Sequence, residues 1–474
     1  MPVVPERLGA LDASFLYVEE QSTPMHVGTV AVFTPGRNGF GYEDLVALVR
    51  SRLGLVPRFR QRVKSVPGRL AGPVWIDDTD FDVTYHVRRS ALPGPGDIDQ
   101  LCELVARLMS RPLDRARPLW ELYLIEGLAD NRFALVSKTH LAMIDGVAAV
   151  DLAEVILTTM PSGAGSDAPL ASWQPEPEPS GADLLLQAAA ELAQQPSRII
   201  GSARDASKDI AASMTRLATT ALSAAGTIAA VRRPGPQALR VTTGAHRRFA
   251  VADVGLDEFR TVSRRLGGTV NDAILATLTL ALRSWLLSRG EPLTATSTLR
   301  ALVPVSVHDD DPSGPPAGTR VRAHSVDLPI GEANPVVCLQ QVSFGMRVHS
   351  DSGSGVDARS LVGLAGFAPP TLHSLGSRVA AGLSKRLYHT VVTNVPGPQR
   401  ELYADDAQLV AAYPVVPLMA GQALSTGLTS YAGRVYFGFT ADRDAMADVA
   451  ALVPALHEAQ RQLLAAATSS KVSP

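Results

Sequence analysis

A stretch rich in proline, glycine, serine and glutamate divides this 474-residue chain into two regions. It covers residues 161–181 and contains the run Pro-Glu-Pro-Glu-Pro-Ser-Gly, a composition typical of a linker. The chain is longer than one ordinary hydrophobic core serves, so two domains are expected. We predict an N-terminal domain at residues 1–160, a linker with crossover helices at 161–245, and a C-terminal domain at 246–474.

Both regions alternate segments with the two-residue period of strands and the longer period of helices. In the first region we predict strands at 27–33, 81–88, 120–125 and 133–139, and helices at 42–53, 98–109 and 146–158. In the second we predict strands at 297–306, 388–394 and 434–439, and helices at 256–266, 271–289 and 445–466. Alanine-rich helices within 183–231 would connect the regions. The pattern indicates a mixed α/β fold, and the absence of a short repeat excludes solenoids and propellers.

Composition excludes some classes of partner and indicates the cellular location. A net charge of -2 and an aromatic content of 5% provide neither a basic surface nor stacking rings, so no nucleic-acid partner is expected. Cys102 and Cys338 fall in predicted helices without metal-ligand spacing, so we expect buried, reduced thiols and no metal. The N-terminus lacks the pattern of a secretory signal, and no uncharged apolar run reaches about 20 residues. We therefore predict a cytoplasmic protein.

A histidine motif follows the predicted strand at 133–139 and reads His140-Leu141-Ala142-Met143-Ile144-Asp145-Gly146. A histidine followed five residues later by Asp-Gly is frequent by chance, but further blocks surround it in order. In the first region they are Leu11-Asp12-Ala13-Ser14-Phe15, Pro24-Met25-His26-Val27-Gly28, Pro57-Arg58-Phe59-Arg60-Gln61-Arg62, Arg111-Pro112-Leu113-Asp114 and Arg117-Pro118-Leu119-Trp120-Glu121. In the second they are Val270-Asn271-Asp272, the run from Arg300 to Ser306, Thr393-Asn394-Val395-Pro396-Gly397-Pro398, Ser430-Tyr431-Ala432-Gly433-Arg434 and Ala441-Asp442-Arg443.

Together these blocks resemble the bacterial wax ester synthase/diacylglycerol acyltransferase family, over nearly the whole chain. The resemblance implies two chloramphenicol acetyltransferase-like α/β (α+β) halves with an active-site tunnel at their interface. It also implies that an acyl-CoA meets diacylglycerol or a long-chain alcohol there, as co-substrates, with no cofactor, metal or covalent intermediate. In the family's His-His-x-x-x-Asp-Gly motif the second histidine is the general base, whereas the aspartate and glycine shape the site.

This chain carries Leu141 where the resemblance places the catalytic histidine. Successive side chains of a strand point to opposite faces, so a tunnel-facing Leu141 would leave His140 pointing away. Leucine cannot take a proton, and a positioned general base contributes about 10²–10⁴-fold in rate. We therefore expect weakened catalysis, with the remaining rate coming from proximity and orientation.

Three interpretations of His140 follow. It is a structural histidine bonded to backbone, it shifts to serve as the base, or another histidine reaches the tunnel, with His26, His324 and His389 as candidates. Asp145 is either a second acid/base group or a buried carboxylate paired with an arginine such as Arg300. Gly146 provides backbone room or close approach to the substrate.

Polar residues of the second region have parallel interpretations. Asn271 and Asp272 cap the following helix or also shape the site with Leu141, and Asn394 orients substrate or only forms a turn. Gly318-Thr319 departs from the family's Gly-Asn. The charge-free segment 217–231, flanked by arginines, is either an interdomain helix or an interfacial helix on a membrane or lipid droplet.

The function predicted from the sequence is triacylglycerol formation from acyl-CoA and diacylglycerol, with wax ester synthesis as a related activity. One alternative is an O-acyltransferase acting on another hydroxyl-bearing lipid or a polyketide. A second alternative is a non-catalytic member of the family that binds acyl-CoA or lipid; Leu141 favours it, and the retained Asp145-Gly146 pair counts against it.

Overall fold

The computed structural model describes residues 5–69, 71–144, 156–161, 173–194, 236–307, 320–351, 356–357 and 388–469. The α-helices are α1 (Ala10–Val18), α2 (Tyr42–Arg52), α3 (Val83–His86), α4 (Ile98–Met109), α5 (Gly181–Gln194), α6 (Leu256–Leu266), α7 (Val270–Ser288), α8 (Pro335–Asp351) and α9 (Leu452–Ser469). The strands are β1 (His26–Thr34), β2 (Gln61–Lys64), β3 (Val74–Asp77), β4 (Val87–Ala91), β5 (Trp120–Leu128), β6 (Arg132–His140), β7 (Arg247–Gly255), β8 (Leu299–Val307), β9 (Arg320–Leu328), β10 (Val356–Asp357), β11 (Thr390–Pro396), β12 (Tyr403–Ala404), β13 (Ala407–Val415), β14 (Leu424–Tyr431) and β15 (Arg434–Asp442). The mixed α/β fold class is confirmed.

Two mixed sheets organise the molecule. The first has the order β12-β13-β1-β6-β5-β4, and the second has the order β10-β9-β8-β11-β14-β15-β7. The antiparallel pairing of β13 with β1 brings residues from the second region into the first sheet. The domain boundaries predicted from composition place these residues after 246, whereas in space residues 403–415 extend the N-terminal sheet.

Buried apolar faces explain the helices. In α4 the residues Leu101, Val105 and Leu108 recur on one face and are buried, as the three-to-four-residue spacing predicts. Helix α7 is apolar on nearly all sides and is packed into the core of the second half. It is long and apolar enough to span a membrane, but 72% of its apolar window is buried inside the protein, which accounts for its composition.

A buried arginine fastens the second half to the first. Arg247, the first residue of β7, donates from its guanidinium to the carbonyl of Ser22 at 2.5 Å. Its backbone N–H donates to the Ser110 hydroxyl at 3.1 Å. The segment just before β1 and the end of α4 are therefore both held against the second sheet.

The described part of the predicted linker is docked on the first half. Residues 173–180 cross the hairpin of β2 and β3, where the carboxylate of Glu178 pairs with Arg62 at 2.5 Å and Lys64 at 2.6 Å. Helix α5 then buries Leu184 in a small apolar cluster with residues of that hairpin. Charge pairing and burial thus hold this segment against the first half, although its composition predicts a flexible linker.

Local polar groups replace one predicted element and delay the start of another. The strand predicted at 81–88 is instead the short helix α3 followed by β4, because the carboxylate of Asp82 accepts the N–H of Thr84 and starts a helical turn. The final helix begins at Leu452 rather than at 445, since the Asp442 carboxylate accepts the N–H groups of Asp444 and Ala445 and holds a turn.

Other predictions are confirmed at their stated positions. Helices at 98–109 and 256–266 have the predicted bounds. Cys102 and Cys338, both described, are buried free thiols in α4 and α8, and burial raises the pKa of each to about 12. The predicted helix at 146–158, apart from its last three residues, the segment 217–231 and Gly318-Thr319 lie outside the described residues.

Candidate active site

His140 is the last residue of β6, a central strand of the first sheet. Its neighbour on β1 is His26, so the two residues form a cross-strand pair with ring centroids 5.9 Å apart. Both side chains are buried. Because paired residues of antiparallel strands project to the same face, the two imidazoles share one side of the sheet.

Glu19 stands beside both imidazoles. Its Oε1 lies 3.4 Å from Nε2 of His26 and 3.5 Å from Nε2 of His140. The same oxygen accepts the N–H of Met25 at 3.0 Å, and Oε2 accepts a hydrogen bond of 2.6 Å from Arg115. Glu19 therefore supplies the negative charge of this cluster, which we call the Glu19 cluster: Glu19, His26, Met25, Arg115 and His140.

The protonation states follow from these contacts. Burial alone raises the pKa of Glu19, but the contacts with His140, His26 and Arg115 outweigh it, so the pKa of this carboxyl lies below its usual range. Burial lowers the pKa of His26 to about 4, with a further decrease from the charge of Lys138. A negative Glu19 therefore faces a neutral His26 near pH 7.

The ring of His140 has no nitrogen lone pair free for a substrate. Its Nδ1 accepts the backbone N–H of Ala142 at 2.9 Å, so the lone pair of that nitrogen is used. In the neutral ring the proton then sits on Nε2, which faces the Glu19 carboxylate; this tautomer is assigned from the partners. The backbone bond expected of a structural histidine is present, and service as a base would require breaking it.

Leu141 lies just beyond the strand. It opens a 3₁₀ turn, Leu141–Met143, and its N–H donates to the carbonyl of Met25 at 2.9 Å. Its side chain is half-buried. Strand alternation continued to residue 141 would put Leu141 and His140 on opposite faces, but regular alternation ends at His140 because the backbone turns there. Asp145 and Gly146 lie outside the described residues.

The two faces of β6 differ in chemistry. On the His140 face, Lys138 is buried, donates to the carbonyls of Leu108 at 3.0 Å and Arg111 at 2.5 Å, and lies 3.5 Å from Glu121. Burial lowers the pKa of Lys138. The opposite face borders a small, mostly apolar crevice lined by Thr29, Ala31, Phe33, Leu122, Leu135, Ser137, Ile156 and Leu157.

The other candidate histidines differ from one another. Nδ1 of His389 accepts the N–H of Arg300 at 2.9 Å, and burial lowers the pKa of His389 to about 4. Like His140, it therefore presents an N–H rather than a lone pair at Nε2. The backbone of His324 lies in β9, but its side chain is outside the described residues. Neither ring nitrogen of His26 makes a hydrogen bond to a described residue.

In the second half the structure brings Asn271 and Asn394 together. The Asn394 amide donates to the side-chain oxygen of Asn271 at 2.8 Å, which links β11 to the first turn of α7. Asp272 serves as a cap: its carboxylate accepts the N–H of Thr269, whose hydroxyl accepts the N–H of Asp272. The capping interpretation therefore describes Asp272, whereas Asn271 has a partner from another element.

Arg300 has a different partner from the one suggested by the sequence. Its guanidinium pairs with Asp327 on the adjacent strand, with Nε 2.9 Å from the carboxylate. Since Asp145 is not among the described residues, its own partner stays a prediction. Among the described residues, no group of three histidine, cysteine or acidic side chains has a geometry that could hold a metal ion.

Three residues around His140 were not predicted as site residues from the sequence: Glu19, Lys138 and Glu121, of which Glu121 appears only as the end of a family-like block. Glu19 precedes the Pro24-Met25-His26 block but carries no local signal, because the adjacent Glu20 has the same chemistry and is exposed. Lys138 offered one clue. A lysine inside an otherwise apolar strand, two residues before His140, indicates either an exposed position or a buried charge that needs partners.

Comparison with solved structures defines the fold. Over 98% of this chain and 100% of the other, the structure is similar to a wax ester synthase/diacylglycerol acyltransferase from Marinobacter aquaeolei VT8, with a TM-score of 0.65 and 27% identity. It is also similar to the TRI3 trichothecene 15-O-acetyltransferase from Fusarium sporotrichioides, with a TM-score of 0.56 and 11% identity over 98% of this chain and 99% of that one. The two-half acyltransferase fold class is confirmed.

Comparison of sequences gives the family. The model of the wax ester synthase/diacylglycerol acyltransferase catalytic domain matches residues 8–274, and that of the WS/DGAT C-terminal domain matches residues 317–463. The probable diacylglycerol O-acyltransferase tgs1 of Mycobacterium tuberculosis is 33% identical over 471 residues, 98% of this chain and 97% of that protein. The probable diacylglycerol O-acyltransferase tgs3 of the same species is 44% identical over 264 residues, 55% of this chain and 96% of that protein.

The chain therefore belongs to the wax ester synthase/diacylglycerol acyltransferase family. The expected enzyme class, an O-acyltransferase, is confirmed by this membership.

Proposed function

We propose that this protein is a diacylglycerol O-acyltransferase that forms triacylglycerol from acyl-CoA and diacylglycerol, and that accepts long-chain alcohols to form wax esters. The observation that carries this proposal is the match to tgs1 over 98% of the chain. A match of this extent includes both halves and every block of the resemblance. The reaction needs no cofactor or metal, because the thioester is already an activated acyl donor.

In the proposed reaction the acceptor hydroxyl attacks the thioester carbonyl. The new ester C–O bond forms, the C–S bond breaks, CoA leaves as the thiol, and the hydroxyl proton must be removed. Leu141 cannot remove it, and the Nδ1 lone pair of His140 already accepts the Ala142 N–H. We expect the rate to lack about 10²–10⁴-fold that a positioned base would contribute. What remains comes from holding the two substrates together.

Amide groups of the second half have a role in orienting the substrates. Asn271 accepts one hydrogen bond from Asn394, and this fixes the direction of its own NH₂ group at the start of α7. Two pre-oriented amides can donate to a carbonyl or hydroxyl oxygen without reorganising. In this proposal Asp145 and Gly146 contribute to the shape of the site, as the resemblance to the family implies.

The substrates set the cellular setting of the proposal. Diacylglycerol and triacylglycerol partition into lipid phases, so a cytoplasmic enzyme must meet a membrane or lipid-droplet surface to reach its acceptor. We propose peripheral contact of this kind. The segment 217–231, with its flanking arginines, is the first region to test by deletion in a flotation assay with lipid vesicles.

A second candidate function is binding of acyl-CoA or lipid without efficient turnover. Two observations favour it: leucine occupies the position of the base, and the neighbouring histidine has both ring nitrogens directed at protein groups. The two candidates predict the same ligand and differ only in whether CoA is released.

The experiment measures CoA release from palmitoyl-CoA, with and without diolein, for the natural chain and for Leu141→His. Leu141→Asn is the matched control, because it introduces a polar side chain of similar size that cannot act as a base near pH 7. Diolein-dependent release by the natural chain supports the proposed function. An inert natural chain whose Leu141→His variant turns over, with Leu141→Asn inert, supports the binding function instead.

If the natural chain turns over, alanine replacements of His26, His140, His324 and His389 identify the base. Loss of activity with a single replacement, in a variant that retains the unfolding midpoint of the natural chain, assigns the role to that histidine. Activity that survives all four replacements excludes general-base catalysis by these histidines, and the reaction then relies on proximity and on the amide groups.

A further inference from the structure

We propose that Glu19 is a positioning residue for the turn that carries residue 141, and that it acts by fixing the tautomer of His140. This inference rests on the proposed function only for its effect on turnover. Its effect on the histidine ring exists in the natural chain, whether or not that chain is active.

The Glu19 carboxylate is itself firmly held. It follows α1 directly, and its backbone N–H donates to the carbonyl of Phe15, so the residue continues the helical bonding pattern. Oε2 is tied to Arg115 at 2.6 Å, and Oε1 accepts the N–H of Met25 at 3.0 Å. A side chain with both oxygens bonded and only 10% exposed has one well-defined position.

The ring of His140 must adapt to this fixed negative charge. An ionised carboxylate only accepts, so a proton on Nε2 facing Oε1 at 3.5 Å is favourable, although the distance is long for a hydrogen bond. The same tautomer leaves a lone pair on Nδ1 for the N–H of Ala142 at 2.9 Å. The opposite tautomer would direct a lone pair at the carboxylate and an N–H at an N–H, and both contacts are repulsive.

Two paths of contacts then run from Glu19 to the turn. One passes from Oε1 through the imidazole of His140 to the N–H of Ala142. The other passes from Oε1 to the N–H of Met25, whose carbonyl accepts the N–H of Leu141 at 2.9 Å. Both paths begin at one carboxylate and end on adjacent residues, so Glu19 fixes the backbone at the position where the family's base would stand.

A neutral amide removes the charge and keeps the shape. In Glu19→Gln the side chain can present an NH₂ group to His140, which then favours the lone pair on Nε2 and the proton on Nδ1. That proton opposes the N–H of Ala142, so the turn loses its hydrogen bond. Glu20→Gln is the matched control, because it makes the same chemical change at the adjacent, exposed position.

The first measurement is ¹⁵N NMR of the ring nitrogens of His140 in the natural chain, assigned by the signal that disappears in His140→Gln. We expect a protonated Nε2 and an unprotonated Nδ1 in the natural chain and in Glu20→Gln. In Glu19→Gln we expect a mixture of tautomers or the reversed one. If Glu19→Gln keeps the Nε2–H form in full, the proposal is overturned.

The second measurement uses the Leu141→His background. There Glu19→Gln should lower kcat by about tenfold to a hundredfold, the cost of misplacing a catalytic group, with KM within about threefold. Glu19→Asp, which keeps the charge on a shorter arm, should restore part of kcat. An unchanged kcat in Glu19→Gln, or loss of kcat in Glu20→Gln of the same size, contradicts the proposal. The NMR result needs no turnover, so an inert protein would refute the proposed function and leave the tautomer test intact.

Discussion

The side-chain amide of Asn394 donates to the side-chain oxygen of Asn271 over 2.8 Å, joining two residues that are 123 positions apart in the sequence. Asn394 lies near the C-terminal end of β11 and Asn271 in the first turn of α7. Each amide provides both a donor and an acceptor, so this bond uses the oxygen of Asn271 and one N–H of Asn394 and leaves the NH₂ group of Asn271 as a further donor. Helix capping at this position is performed by Asp272 and Thr269 instead.

This pair should couple in a double-mutant cycle of stability. Asn271→Ala and Asn394→Ala each remove one partner of the same hydrogen bond, so the second replacement should cost less than the first. We expect a coupling free energy of about 1 kcal/mol, measured by denaturant unfolding of the natural chain, both single variants and the double variant. Additive effects would mean that the contact does not form in solution.

A second prediction concerns Gly28, on β1. A Cβ built at this residue would lie 1.9 Å from the carbonyl oxygen of Ser137, so even alanine requires the backbone to move. Gly28→Ala should lower the free energy of unfolding by about 1–3 kcal/mol. Gly54→Ala is the control, because a Cβ at Gly54 meets nothing within 4 Å. Equal stability of the two variants would contradict the close approach of β1 and β6.

The sequence predicts elements well where one segment determines its own structure. Helix α4 has the predicted bounds because apolar residues recur on one face and Asp97 caps its start. The segment 81–88 has strand-like composition, but the carboxylate of Asp82 caps the chain there and starts a helical turn instead. A capping hydrogen bond involves about three residues. Periodicity is judged over a longer window, so it does not detect an effect this short.

Long-range pairing is the part that the sequence could not supply. Nothing in β13 indicates that it pairs with β1 rather than with its neighbours in the second half. The candidate site has the same limit. The motif identifies His140 and Leu141, but the choice of Glu19 over Glu20 depends on how α1 packs, because the two carboxylates are chemically identical. Docking of Glu178 on Arg62 and Lys64 likewise depends on the fold of the hairpin.

A third prediction tests the buried lysine of β6. Lys138→Met keeps the apolar stem and removes the group that donates to the carbonyls of Leu108 and Arg111. Loss of these two hydrogen bonds and of the ion pair with the buried Glu121 should lower the free energy of unfolding by about 2–3 kcal/mol. Lys64→Met is the control, because its partner Glu178 is a surface residue with 38% of its side chain exposed, and such a pair should contribute less than about 1 kcal/mol. A larger loss of unfolding free energy in Lys64→Met than in Lys138→Met would contradict a stabilising role for the buried lysine.

The last prediction concerns acid stability and His26. Burial lowers the pKa of this histidine to about 4 in the folded chain; Glu19 acts against this shift, and the charge of Lys138 adds to it. In the unfolded chain the pKa is near its ordinary value of about 6.5. Between these values the unfolded state binds a proton that the folded state does not, so the free energy of unfolding should decrease as the pH falls from about 6.5 to 4. The full contribution of His26 is about 3 kcal/mol.

His26→Gln removes the titrating group, so the free energy of unfolding should change less with pH over that range. This holds whatever the effect of the substitution on stability at pH 7. His389→Gln provides an independent comparison: burial also lowers the pKa of His389 to about 4, so this variant should flatten the curve separately, and the two effects should add. Denaturant unfolding at constant ionic strength, from pH 7 to pH 4, measures both. If the His26→Gln curve runs parallel to that of the natural chain, His26 is charged inside the folded protein, and Glu19 rather than burial then controls its protonation.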